Sequence, residues 1–197
     1  MSIYHIDASP RTGNSVSRKF TRVIVDELIK TRQQKVIYRD LGRAEGIRLI
    51  DETIAGAIFL PESDRSPDQR SALLPSDKII EEAVSSDIWV LGIPIYNFSV
   101  PASFKAWADM LARSKKTFQY GDKGPEGLLK NKTVFAVIAS GGTEIDSSFD
   151  FCTPWLRHFL SFLGIDKINI IRADQYSPEK EEKILQSIAA EVSKYGV

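Results

Sequence analysis

The sequence predicts an α/β protein: a doubly wound, five-stranded parallel sheet with helices on both faces. Two patterns carry that reading. Short β-rich runs alternate with amphipathic helical ones along the chain, the order that builds parallel sheets. Two of those runs, DIWVLGIPIY and TVFAVIAS, are almost continuously apolar, the mark of strands buried on both faces. At 197 residues the chain suits one domain over residues 1–197.

IYHIDA, Ile3–Ala8, is the first strand. A helix follows over Val16–Lys30, because Phe20, Val23, Ile24, Leu28 and Ile29 recur at steps of three and four. KVIYRDL, Lys35–Leu41, is the second strand. Gly42–Pro75 is too long for a bare loop in a compact domain, and Ile54, Ala57, Ile58 and Leu60 predict a short helix within Ile50–Leu60. Ser76–Ser85 reads as a helix, with Asp77 near its start and Ile79, Ile80 and Val84 apolar. The third strand is Asp87–Tyr96. Pro101–Arg113 is helical, with proline in its first turn and Phe104, Trp107, Met110 and Leu111 inward. TFQYGDKGPEGLL, Thr117–Leu129, is aromatic and glycine-rich and predicts a hairpin or flap. Thr133–Ser140 is the fourth strand, Thr153–Leu163 a helix, and Lys167–Ala173 the fifth strand. Pro178–Lys194 closes the chain as an amphipathic helix.

Composition narrows the function classes. The 26 basic and 26 acidic residues balance, and with no basic stripe no nucleic-acid partner is expected. No apolar stretch approaches the roughly 20 residues of a membrane span, so no membrane partner is expected either. The start, MSIYHIDA, lacks a basic region followed by an apolar core and does not read as a secretory signal. Cys152 is the single cysteine, which suits a reducing compartment and a cytoplasmic protein. With only His5 and His158 beside it, no metal site is expected.

In such a sheet, ligands sit outside the carboxyl ends of the strands where the strand order reverses. The loops that matter are therefore Ser9–Ser15, Pro94–Val100 and Gly141–Ser148. The first lies in SPRTGNSVS. Ser15 can cap the helix, and the N–H groups exposed there make an anion site under the helix dipole. Gly13 permits a tight backbone, while Ser9, Thr12, Ser15 and Ser17 offer hydroxyls without charge. That suits a phosphate monoester, though an ordinary capped strand–helix loop uses the same residue types. GxxxxGK[ST] and the dinucleotide glycine triplet are both absent, so one phosphate fits, as in FMN, and not the two of NAD or FAD.

The second loop, PIYNFSVPASFK, leaves the third strand with Ile95, Tyr96, Asn97 and Phe98. Its aliphatic and aromatic groups can wall a flat ring, while backbone N–H groups and the Asn97 amide bond the ring's polar edge. The alternative is that Tyr96 and Phe98 are core aromatics and that Pro94 and Pro101 only punctuate a loop. In the third loop, ASGGTEIDSS, Gly141 and Gly142 allow close approach and offer paired N–H groups; a plain Gly-Gly turn is the alternative.

With these motifs the chain resembles, over essentially its whole length, the FMN-dependent NADH-azoreductases of the flavodoxin-like quinone reductase superfamily. PIYNF and TFQYGDKGPEGLL are the more specific matches, joined by the serine loop, the Gly-Gly and TPWLRHFLSFLGI. The resemblance implies a flavodoxin-like fold with noncovalent FMN. Ser9, Arg11, Ser15, Val16 and Ser17 would hold its phosphate. Pro94, Ile95, Tyr96, Asn97 and Phe98 would contact the isoalloxazine, with Ser140, Gly141 and Gly142 at its other polar edge. In the family the last loop is commonly SRGG; here it is Ala139-Ser140-Gly141-Gly142, without the arginine, and Glu144 stands where a histidine is frequent.

The resemblance further implies a homodimer, its sites completed across the interface by Gly42–Pro75. The implied reaction is a ping-pong hydride transfer from NADH or NADPH through the flavin to a quinone or azo acceptor. No catalytic acid or base is then needed on the protein. Phe98, Phe118 and Tyr120 are candidates to stack on substrate, although packing explains Phe118 and Tyr120 as well. Cys152 and His158 read as packing or surface residues.

Three rivals share the fold class. A flavodoxin electron carrier would share the Thr12–Ser15 TGNS loop, but a neutral chain lacks the acidic face that such carriers dock with. A phosphoacceptor domain needs clustered acids, and only Asp7 is available. A flavin-binding redox-sensing module stays open until turnover with NADH is measured.

Overall fold

The computed structural model describes residues 1–31, 33–43 and 47–195. Five strands form a parallel sheet in the order β2-β1-β3-β6-β7. They are β1 (Ser2–Asp7), β2 (Lys35–Asp40), β3 (Ile88–Pro94), β6 (Thr133–Ser140) and β7 (Lys167–Asp174). A hairpin of β4 (Phe118–Gly121) and β5 (Gly124–Gly127) stands apart as an antiparallel pair, where the glycine-rich segment was expected to form one. The helices are α1 (Val16–Thr31), α2 (Glu52–Phe59), α3 (Pro67–Ser85), α4 (Ala102–Leu111), α5 (Cys152–Phe162) and α6 (Pro178–Ser193).

The strand period of two divides the central apolar runs between two cores. Trp89, Leu91, Ile93, Val134, Ala136 and Ile138 face α3, α4 and α5, where they meet Ile79, Phe104, Trp107 and Leu156. Ile88, Val90, Phe135 and Val137 face α1 and α6, against Phe20, Ile24, Leu28 and Ile188. Every residue of β3 is buried, which is why that run reads as continuously apolar.

One helix start departs from the sequence reading. α3 begins at Pro67, nine residues before the predicted Ser76, and carries Pro75 inside it. Ser66 starts it with a capping box: its hydroxyl accepts the Gln69 N–H at 3.2 Å while Gln69 accepts the Ser66 N–H at 3.0 Å. An interior proline costs a helix about 3 kcal/mol. Burial of Ala72 and Leu73 on one side of Pro75 and of Ser76 and Ile79 on the other offsets it. The segment between β2 and α3 is correspondingly shorter; residues 44–46 of the predicted Gly42–Pro75 insertion lie outside the described ones.

The strand order places the reversal between β1 and β3. The loops after these strands, joined by the loop after β6, share one edge of the sheet. Among the described residues no helix is long and apolar enough to cross a membrane.

Candidate functional site

Between β1 and α1 the chain crosses the carboxyl edge of the sheet. Ser9, Ser15 and Ser17 are buried, while residues 10–14 between them are exposed. The Ser9 hydroxyl accepts the Arg11 N–H at 3.2 Å. Ser15 caps α1 as expected, its hydroxyl 3.4 Å from the Arg18 N–H and 3.3 Å from the Ser17 hydroxyl. The first N–H groups of a helix, here those of Val16 and Ser17, have no acceptor within it and lie at the positive end of its dipole. Buried hydroxyls and helix-end donors thus meet at one place, a neutral cradle for an anion.

After β3 the chain makes a tight two-residue turn. Tyr96 and Ser99 exchange both backbone hydrogen bonds, at 3.0 and 3.1 Å, across Asn97 and Phe98. Both central residues are in the left-handed region, with φ of 48° and 69°. Asn tolerates that conformation and Phe does not, so the backbone is strained at Phe98. The turn holds Tyr96 and Phe98 out in the open, 39% and 53% exposed, and leaves the N–H groups of Asn97 and Phe98 outside its own bonding. These aromatics are therefore not core residues.

The loop after β6 is braced from several sides. The Ser140 hydroxyl accepts the N–H groups of Gly142 at 3.2 Å and Thr143 at 2.7 Å. That corrects the expectation of a glycine N–H pair free for a ligand: Gly142 is engaged inside the loop, and Gly141 is the donor left over. Gln175 donates its N–H to the Ser140 carbonyl at 2.7 Å. Asp150, buried, accepts N–H groups from Asp146, Thr153 and Cys152 at 2.9 to 3.0 Å. Burial opposes its charge, yet these donors hold its carboxyl below the ordinary value. Burial, with Asp150 nearby, pushes the Cys152 thiol up to about 12, so at neutral pH it is an unreactive thiol.

The three loops converge. A cleft of about 260 Å³ is lined by ten of the predicted residues: Ser9, Arg11, Ser15, Val16, Ser17, Pro94, Ile95, Tyr96, Ser140 and Gly141. The other three, Asn97, Phe98 and Gly142, line an adjoining hollow of about 790 Å³ that shares Ile95, Ser140 and Gly141 with it. Phe118 and Tyr120 line neither. They belong to a groove of about 800 Å³ beside Phe59 and Leu60, and the Phe118 ring packs on Phe162 at 4.6 Å.

Sequence reasoning missed Tyr176 and Phe149. Tyr176, after β7, lines the cleft together with Ser15 and Val16. Phe149, 65% exposed, stands 6.4 Å from the Phe98 ring in the hollow. The FDF of Phe149–Phe151, following a Gly-Gly loop, is the signal that could have found Phe149; the loop after β7 carries no comparable one. Among the described residues no group of three or more acidic, histidine or cysteine side chains could hold a metal ion.

Fold and cleft define a flavodoxin-like α/β protein, and a family model described as "Flavodoxin-like fold" matches residues 1–195. An FMN-dependent NADH:quinone oxidoreductase of Erythrobacter litoralis is 44% identical over 185 residues, 93% of each chain. One from Colwellia psychrerythraea is 44% identical over 171 residues, 87% of this chain and 88% of the relative. The chain belongs to this flavodoxin-like family of FMN-dependent NADH:quinone oxidoreductases, which are enzymes. Among solved structures, an FMN-dependent NADH-azoreductase from Bacillus anthracis in complex with FMN superimposes with a TM-score of 0.83 at 22% identity, covering 100% of this chain and 98% of the other. Azoreductase AzrA does so at 0.86 and 21%, covering 100% and 99%. At that identity these two bear on the fold.

Proposed function

We propose that this protein is an FMN-dependent oxidoreductase that transfers hydride from NADH or NADPH to quinones or azo compounds in a ping-pong cycle. The observation that carries the reading is the convergence of the three strand-end loops on adjoining hollows, one end rich in uncharged donors and the other walled by aromatics. The residues fit noncovalent FMN. Ser9, Ser15 and Ser17 are buried hydroxyls bonded to loop backbone or to one another, and helix-end N–H groups lie beside them. That donor set matches a phosphate monoester, and Arg11 is free to fold over it. At the other end the turn N–H groups of Asn97 and Phe98 and the Gly141 N–H suit the polar edges of a planar ring. Ile95, Tyr96 and Phe98 would wall its faces.

The flavin would supply the two-electron hydride chemistry, as cofactors commonly do. The chain's own work is to orient the ring, exclude water from one face and place donors where negative charge develops on the reduced ring. No acid or base on the protein is required.

We further propose a cytoplasmic homodimer, each chain a single domain. The groove between α2 and the hairpin supports it: Phe59 is 88% and Tyr120 75% exposed beside Ile50 and Leu60. Phe118 and Tyr120 would then meet substrate across the interface and not within one chain.

The test is spectral and kinetic. Purified protein should be yellow, release FMN on denaturation, and sustain NADH oxidation with menadione or methyl red. A colourless protein that takes up no added FMN overturns the reading.

A further inference from the structure

We propose that Arg18 is the positioning residue of the phosphate cradle: its guanidinium holds the Ser9 peptide in place and has no donor left for the phosphate. This rests on the FMN reading above.

Arg18 is the third residue of α1, and its side chain turns back across the loop. Nε and Nη2 both donate to the Ser9 carbonyl, at 3.1 and 2.5 Å. Nη2 also donates to Asp40 Oδ1 at 2.5 Å, and Nη1 donates to Asp40 Oδ2 at 3.0 Å and to the Tyr38 hydroxyl at 2.8 Å. A guanidinium has five N–H donors, and these bonds use all of them. Asp40 ends β2, and Tyr38 donates its hydroxyl to Asp7, which ends β1, at 3.1 Å. Thr21 completes the Asp7 carboxylate at 2.9 Å. The fork therefore ties the ends of two strands to the first residue pair of the loop.

A second feature holds the same carbonyl from the other side. Gly42 lies against Ser9, and a Cβ at position 42 would overlap the Ser9 carbonyl and come to 2.8 Å from Arg18 Nη2. Because the Ser9 hydroxyl in turn takes the Arg11 N–H, a shift of this peptide moves both loop residues together.

Charge does not explain the arrangement. Two carboxylates, Asp7 and Asp40, offset the Arg18 guanidinium, and Arg43 makes its own pair with Asp40. The cluster has no surplus positive charge to offer an anion. Its contribution is geometry, and a lysine, one ammonium on a flexible stem, cannot reproduce a fork that bridges a carbonyl and both oxygens of a carboxylate.

The test compares FMN with riboflavin, the same ring without the phosphate, by flavin fluorescence titration of apoprotein. The variants are Arg18→Lys, Gly42→Ala and the double change Arg18→Met with Asp40→Asn, which leaves no carboxylate stranded at position 40. Circular dichroism reports whether each is folded, and the double variant serves if Arg18→Lys is not. Folded variants should bind FMN about tenfold or more weakly, the scale of losing charge-assisted hydrogen bonds. Riboflavin affinity should change by less than about twofold, a split that loss of general stability would not produce. Gly42→Ala should show the same split although it alters no charge. Folded variants that keep the wild-type preference for FMN, or lose both flavins in equal proportion, overturn the inference. A wild type with no preference for FMN overturns the proposed function first, and is read on the unmutated protein.

Discussion

The two ends of the cleft are built differently. The serine end rests on buried hydroxyls: Ser15 and Ser17 bond each other, Ser9 takes the Arg11 N–H, and Arg18, paired with Asp7 and Asp40, holds the Ser9 carbonyl. The ring end is an exposed, strained turn and a glycine loop, with aromatic rings standing out from both. The first arrangement exchanges stability for nothing, since the bonds that shape the cradle also hold the sheet edge. The second stores backbone strain at Phe98, where the proposed function puts the planar ring. On the proposed function, the contrast would serve a cofactor anchored by one end and exposed at the other.

The contrast breaks most sharply at Arg18. Arg18→Met removes the fork from Asp40 and the nearby guanidinium from Asp7, and should cost about 3–5 kcal/mol in urea unfolding; a loss under about 1 kcal/mol would mean the cluster is decoration. Acid should reach the same end next. Burial disfavours the charged forms of Asp7 and Asp40, but His5 and Thr21 beside Asp7, and Arg18 and the Gly42 N–H beside Asp40, hold both carboxyls below their ordinary value. Since the unfolded chain takes up protons first, this stabilisation is complete above the ordinary carboxylate range and drains away as pH falls through and below it. Urea midpoints between pH 6 and 3 should therefore fall more steeply in the wild type than in Arg18→Met.

At the ring end, Asn97→Ala should cost about 1–2 kcal/mol through left-handed strain and weaken FMN retention. Asn97→Gly should restore the stability and not the retention; if it restores both, the amide has no binding role. Ser15→Ala should cost about 0.5–1 kcal/mol, given a long cap bond, and also weaken retention. The smallest effect has the opposite sign. Phe98→Gly should leave stability unchanged or raise it by up to about 1 kcal/mol as strain is relieved, while quinone turnover slows. Thermal unfolding and steady-state rates on the same preparation check the pair.

Much of this was legible in the sequence because the signals are local. β3 and β6 are apolar on both faces, so their runs announce themselves, and glycines and serines mark the three loops. The start of α3 was hidden because Pro75 reads as a stop signal, and only its buried neighbours show why the helix continues. The turn at Asn97 could be anticipated from asparagine, but nothing about phenylalanine predicts a φ of 69° at Phe98. Arg18 was invisible for another reason. Its partners Asp7, Ser9, Tyr38 and Asp40 come from two strands and a loop, and only the parallel register of β1 and β2 brings them together.

Co-crystallisation with FMN tests the central claim most directly. Phosphate density is expected among the Ser9, Ser15 and Ser17 hydroxyls and the Val16 and Ser17 N–H groups, with the ring lying between the 96–98 turn and Gly141. Phosphate density at another site, or a cleft that the protein's own side chains close against the flavin, would contradict it.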